Sequence, residues 1–199
     1  MTLIRLPKTA PSLGHPLERL LAQRRTLRAY SGQPVSWAKA ACLLWAAQGV
    51  TDAGGLRTAP SAGALYPLEV YLLAGAVTGL EPGIYRYQPR SDAVLRLASG
   101  DRRAELAAAA LHQDWLVDAA LTLAFAARYA RTTWRYGRRG VQYVHIEVGH
   151  AAQNVQLMAV SLGLGSAVVG AFDEARVASL LGLPAEETPL YLLPVGAAA

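Results

Sequence analysis

Residues 148–172 carry no formal charge, and the run is bounded by Glu147 and Asp173. Gln153, Asn154 and Gln156 make its first half too polar for lipid, and Gly163 and Gly165 interrupt its end. The pattern predicts a buried helix in a water-soluble fold. Small Gly149, Ala151, Ala152 and Ala159 alternate with Val155, Leu157, Met158, Val160 and Leu162, which predicts packing on most sides of that helix. Ala167, Val168 and Val169 then read as a short buried strand, and Asp173 as the N-cap of a helix over 174–181. Earlier, Leu17, Leu20 and Leu21 mark a helix over 16–23, and Ser36 caps a second one running to Ala47, with Leu43, Leu44 and Trp45 for the core and Gly49 as its stop. Apolar runs predict strands over 68–73 and 119–127 and at 190–195. Residues 83–87 and 93–97 form a hairpin across Pro89-Arg90-Ser91-Asp92, and an alanine-rich helix follows over 102–111.

Helices and strands alternate irregularly around a hairpin, so the class is α+β, with a mixed or antiparallel central sheet flanked by helices and a long buried central helix. At 199 residues the chain fits one domain, 1–199, with a substantial core. The 53% hydrophobic and 17% charged composition excludes disorder and suggests burial against a second copy. Cys42, the sole cysteine, offers neither a disulfide framework nor a cysteine metal site, and points to a reducing compartment. Residues 1–10 hold no leader-like apolar core and no segment reads as a membrane span, so the expected location is the cytoplasm, without a membrane partner.

The net charge of +5 is local, because five arginines fall between Arg128 and Arg139. If that stretch is helical, Arg128, Arg131, Arg135 and Arg138 share a face, either solvated or forming the anion-facing rim of a pocket. No recognised module accompanies the charge, so nucleic acid is not the expected partner. Arg24, Arg25, Thr26 and Arg28 bunch just past the first helix. Guanidinium groups and a hydroxyl there suit a phosphate, although a charged helix end is the simpler reading. Residues 57–67, Arg-Thr-Ala-Pro-Ser-Ala-Gly-Ala-Leu-Tyr-Pro, are either an ordinary Pro/Gly loop or one that lets a ligand approach the backbone. No G-x-G-x-x-G, G-x-S-x-G, Walker or H-E-x-x-H pattern is present, and His145, Glu147 and His150 are not spaced to share one helix face around a metal.

Taken in order, five blocks resemble the FMN-dependent nitroreductase superfamily, and specifically its SagB-type dehydrogenase branch: Arg24-Arg25-Thr26-Leu27-Arg28; residues 43–49; residues 57–69; Arg135-Tyr136-Gly137-Arg138-Arg139-Gly140 continuing to Gly149-His150-Ala151-Ala152-Gln153-Asn154; and Val169-Gly170-Ala171-Phe172-Asp173. The resemblance implies a nitroreductase-like fold and a homodimer with two shared FMN sites at the interface. It implies that Arg24 and Thr26 hold the phosphate, with Arg25 a further contact and Arg28 at the pyrimidine edge of the flavin. Pro60, Ser61, Ala62 and Gly63 come from the other subunit, and the backbone of Val169, Gly170 and Ala171 addresses the N5 and O4 edge.

The activity so implied is hydride transfer through flavin N5 to or from a small heterocyclic or peptide-derived substrate. The alternatives are a nitro or quinone reductase with NAD(P)H as electron donor, and a non-catalytic flavin-binding partner subunit. The branch that oxidises azoline rings carries a Lys-Tyr pair where this chain has Arg135-Tyr136. Arginine keeps its proton at any workable pH, which leaves Tyr136 as the acid–base group and Arg135 to hold an anionic substrate. A helical register puts the two on different sides, with Tyr136 facing the flavin. Many relatives also place a terminal cation on the phosphate and a tail around the partner; Ala197, Ala198 and Ala199 supply neither.

Overall fold

The computed structural model describes residues 3–6 and 16–199, so the leaderless reading of residues 1–10 lies largely outside the described residues. Nine strands and six α-helices follow in the order β1 (Leu3–Arg5), α1 (Leu17–Gln23), β2 (Val35–Ser36), α2 (Trp37–Gln48), β3 (Leu68–Ala74), β4 (Val77–Thr78), β5 (Gly83–Gln88), β6 (Ala93–Ser99), α3 (Arg103–Ala109), β7 (Leu121–Ala127), α4 (Ala130–Tyr136), α5 (Arg139–Ser161), β8 (Gly165–Ser166), α6 (Glu174–Leu181) and β9 (Thr188–Gly196) among the described residues. Seven strands form one sheet in the order β1-β6-β5-β3-β7-β9-β8, every ladder antiparallel, while β2 and β4 make a small parallel pair. The α+β class with an antiparallel sheet is as the sequence predicts.

The strands read as unbroken apolar runs because the sheet is covered on both faces. Along β3, Leu68, Val70, Leu72 and Ala74 point to the layer containing α2 and α5, whereas Tyr71 and Leu73 point to the layer of α3 and α6. Leu43 and Leu44 of α2 and Val144, Ala151 and Val155 of α5 complete the first layer. Each fully buried leucine contributes about 1.5–3 kcal/mol of transfer free energy. Two caps act as the sequence predicts: Ser36 Oγ accepts from Lys39 N at 3.4 Å and Asp173 Oδ1 from Arg176 N at 3.0 Å.

Three expectations change. The strand expected at 167–169 is instead β8 at Gly165–Ser166, and Val169 makes only an isolated bridge to Leu192. An apolar triplet cannot choose its own partner, and β9 offers its edge two residues earlier. The helix α5 is buried on one side: Val144, Glu147, Val148, Ala151 and Val155 face inward, while Val141, Gln142, His145, Ile146, Gly149 and His150 line an outward stripe. The arginine stretch is not one helix, because Gly137 takes φ +54° with ψ −142°, a backbone conformation open to glycine that ends α4, and α5 starts afresh. The last residues pair within their own chain, where Ala199 N donates to Ala29 O at 3.2 Å and Ser31 N to Ala197 O at 3.1 Å.

Candidate active site

The residues singled out in the sequence fall into two groups. The first lies along the exposed side of β8. Thr26 bridges Ser166, and Leu27 N donates to Ser166 O at 2.9 Å, which lays the 24–28 segment beside the chain that continues to Val169, Gly170 and Ala171. Arg28 rests its guanidinium 5.9 Å from the Trp115 ring. Gln113, in the loop just before the turn Asp114–Asp118 that carries Trp115, donates through Nε2 to Ala171 O at 3.0 Å. Trp115 and Gln113 therefore connect Arg28 to Ala171. Sequence reading missed both, and only an aromatic within a loop signalled them.

The electrostatics of this edge are one-sided. Arg24 and Arg28 make no ion pair and no side-chain hydrogen bond among the described residues, and no carboxylate neutralises them. Arg25 differs, because its Nη1 donates to Ala22 O at 3.0 Å and to Arg24 O at 2.7 Å, where it satisfies carbonyls at the end of α1. Val169 N is committed to Leu192 O, but the N–H groups of exposed Gly170 and Ala171 find no partner among the described residues. Unpaired cations beside open N–H groups fit a ligand with an anionic arm and an acceptor-rich flat edge.

The second group is the 57–67 loop. Gly63, Ala64 and Tyr66 all have positive φ, at +62°, +53° and +47°, a costly run for residues with a Cβ. Clamps from three helices impose it. Thr58 Oγ1 donates to Trp45 O of α2 at 3.0 Å, Asn154 Nδ2 of α5 to Thr58 O at 3.1 Å, and Arg131 Nη1 of α4 to Tyr66 O at 3.0 Å. Within the loop, Tyr66 N donates to Ser61 Oγ at 2.9 Å, and Pro60 and Gly63 are left exposed. Arg135 and Tyr136 both reach this loop. A Cβ on Gly63 would stand 2.7 Å from the Tyr136 hydroxyl and 3.0 Å from Arg135 Nη1, so a side chain here would push on both, and the two side chains share one side. The expected opposite placement fails because α4 ends at Tyr136, and the last turn lets Arg135 fold back until its guanidinium lies 5.5 Å from the Tyr136 ring.

A cavity of about 250 Å³ opens between this loop and α5, bordered by Pro60, Ser61, Ala62, Tyr143, Ile146, Glu147 and His150. Burial pushes the Glu147 carboxyl up to about 7, against the lowering influence of the nearby Ser61 hydroxyl, the Arg57 charge and the Gln48 amide. Sequence reading weighed Glu147 only as a metal ligand. His145 instead lies on the outer stripe, its Nε2 2.6 Å from Tyr129 Oη. Two arginines of the expected rim are spent: Arg128 Nη2 lies 2.8 Å from Glu187 Oε1 and Arg131 Nη2 2.6 Å from Glu69 Oε1. Among the described residues no hydrogen bond or ion pair joins the two groups within the chain, and no helix is long and apolar enough to cross a membrane.

Residues 21–197 match the pattern of the nitroreductase family. The chain is 47% identical over 180 residues to "Putative nitroreductase MJ1384" of Methanocaldococcus jannaschii, covering 90% of each sequence. It superposes on a crystal structure of "a putative nitroreductase" from Ralstonia eutropha JMP134 with a TM-score of 0.88 and 30% identity, over 100% of this chain and 90% of that one. It is also 28% identical over 138 residues to the microcin B17-processing protein McbC of Escherichia coli, over 66% of this chain and 51% of that protein. The antiparallel sheet packed between two helical layers is thus shared with a solved relative over the whole chain, and the protein belongs to the nitroreductase family of oxidoreductases.

Proposed function

We propose that the protein is an FMN-dependent oxidoreductase, working as a homodimer in which each site takes the 24–28 and 169–171 edge from one chain and the 57–67 loop from the other. The observation that carries this reading is the pairing of unengaged Arg24 and Arg28 with the open N–H groups of Gly170 and Ala171. Bound FMN supplies a two-electron centre that exchanges hydride at N5. Arg24 and Thr26 hold the phosphate, and Arg28 lies toward the pyrimidine edge, where a fixed positive charge stabilises negative charge developing on the ring. The N–H groups of Gly170 and Ala171 address the N5 and O4 side. Pro60, Ser61, Ala62 and Gly63 form the facing wall. Tyr136 stands against Gly63, so it enters the shared site with that wall, offering a hydroxyl proton while Arg135 holds an anionic substrate group.

Similarity to the microcin-processing protein supports a SagB-type dehydrogenase acting on a peptide-derived or small heterocyclic substrate. The competing use of the arginine stretch, to bind NAD(P)H, is weakened because Arg128 and Arg131 already neutralise Glu187 and Glu69. Purified protein should carry FMN, and anaerobic NADPH should bleach it slowly or not at all; rapid bleaching would favour the NAD(P)H-dependent reductase. Arg24→Ala should weaken FMN binding by roughly 1.5–3 kcal/mol, tenfold or more, whereas Arg25→Ala should cost less, because its guanidinium serves carbonyls of its own chain. Equal flavin retention by both variants and the parent, read from absorbance after gel filtration, would remove the phosphate assignment.

A further inference from the structure

Behind the 57–67 loop lies a polar cluster whose buried carboxyl has no part in the reading above. Glu147, on the inner side of α5, is 2% exposed, and its Oε1 is buried without a hydrogen-bond partner. Gln48 of α2 is 0% exposed; its Oε1 accepts from Arg57 Nη1 at 2.9 Å, while its Nε2 turns toward the carboxyl but falls short of full hydrogen-bond geometry. Ser61 reaches the carboxyl from the loop, and Arg57 acts on it through its charge. Arg57 has no carboxylate in ion-pair contact among the described residues and is itself desolvated. The other charged groups nearby, Arg131 of α4 and Glu69 of β3, act on Arg57, and on α5 itself Tyr143 and His150 border the adjoining cavity. One buried carboxyl thus lies where the long helix, α2 and both ends of the loop's first half meet.

We propose that Glu147 is a positioning residue that seats the 57–67 loop on α5, and that the seat loosens as its carboxyl loses its proton. A neutral carboxyl suits a pocket offering two weak donors and one distant guanidinium. An ionised one leaves a bare oxygen out of contact with water, at a cost that opening the loop relieves. Burial raises the seated carboxyl from 4.5 to about 7, and an opened loop returns it to the lower value. The seated form binds the proton more tightly, so opening grows as pH rises from the lower value to the upper one and levels off above it.

Amide hydrogen exchange of residues 57–67, compared between the parent and Glu147→Gln at the same pH, tests this without any ligand, because the intrinsic chemistry cancels in the ratio. The ratio should rise by roughly tenfold or more between pH 5 and pH 7.5 and then level off. A ratio that stays constant over that range overturns the proposal, since a merely structural carboxyl would not impose a titration. If the Gln variant does not fold, the parent's loop amides are compared with those of β7 over the same range, with the same two outcomes. The functional consequence rests on the flavin reading, in which this loop is a wall of the site, so FMN retention should fall over the same interval in the parent and stay level in the variant. A titrating loop in a protein that binds no FMN at any pH would sink the flavin reading and leave the positioning role intact. Retained FMN with a pH-independent exchange ratio would do the reverse.

Discussion

Tyr136 is the residue at which structural and chemical roles can be separated most cleanly. Its ring packs edge-on against Tyr143 with centroids 5.2 Å apart and lies under the Arg135 guanidinium, while its hydroxyl, beside Gly63, has no hydrogen-bond partner among the described residues. Tyr136→Phe keeps both ring contacts and abandons no partner, so stability should change little. If the hydroxyl moves a proton during turnover, the same change should lower the rate by ~10²-fold or more with FMN still bound. The measurement is the rate of flavin reduction and of reoxidation in separate half-reactions with a working substrate. Unchanged rates in both would remove Tyr136 from the mechanism and leave the open backbone N–H groups of Gly170 and Ala171 with Arg28 as the remaining polar groups proposed to meet the ring.

At the scale of elements, what was legible in the chain is what local chemistry decides. Helix α6 is legible from its Asp173 cap, and β5 and β6 from a turn sequence between two apolar runs. Where pairing across the fold decides, the sequence was silent: β8 depends on the edge of β9, and the spent arginines depend on carboxylates far away in sequence. Arg86, Arg128 and Arg131 converge on Glu69 of β3 and on Glu187, which precedes β9, and Tyr71 adds a hydroxyl to Glu187. Spacing along one continuous helix predicts a solvated row or an anion rim, because nothing local says that β3 and the chain before β9 bring acids to meet it. Glu187, whose side chain is 0% exposed, is the anchor of this network. Glu187→Ala would leave Arg86 with Glu69 and Arg128 with Glu186 but Tyr71 without an acceptor, a loss of about 1–3 kcal/mol, whereas Glu105→Ala, removing the exposed pair with Arg102, should cost less than about 1 kcal/mol. Urea unfolding of the two variants against the parent measures both, and similar midpoints for the two would mean that the buried network adds nothing beyond a surface pair.

For the whole molecule, the question is what covers the outer stripe of α5. Trp134 is 73% exposed and Ile146 51%, with Val141 beside them, and α1 adds exposed Leu17 and Leu21 while burying no residue at all. So many large apolar side chains in water call for a partner surface. A two-fold axis across α5 would supply a second copy of the same stripe. It would also give the cationic edge the opposing wall that, within one chain, no hydrogen bond or ion pair brings to it. The small-residue side of the helix does not serve as that surface, because Ala152, 3% exposed, packs in the chain's own core, so Ala152→Arg would unfold the protein without testing assembly. Ile146→Arg is the informative change. Its side chain points away from the core, so the folded chain should tolerate the charge, while an interface that buries it should not. The expected result is native-like circular dichroism, a monomer by sedimentation velocity, and loss of bound FMN in the same sample. A persistent dimer would move the interface elsewhere, and a monomer that keeps its FMN would show that one chain builds the site alone.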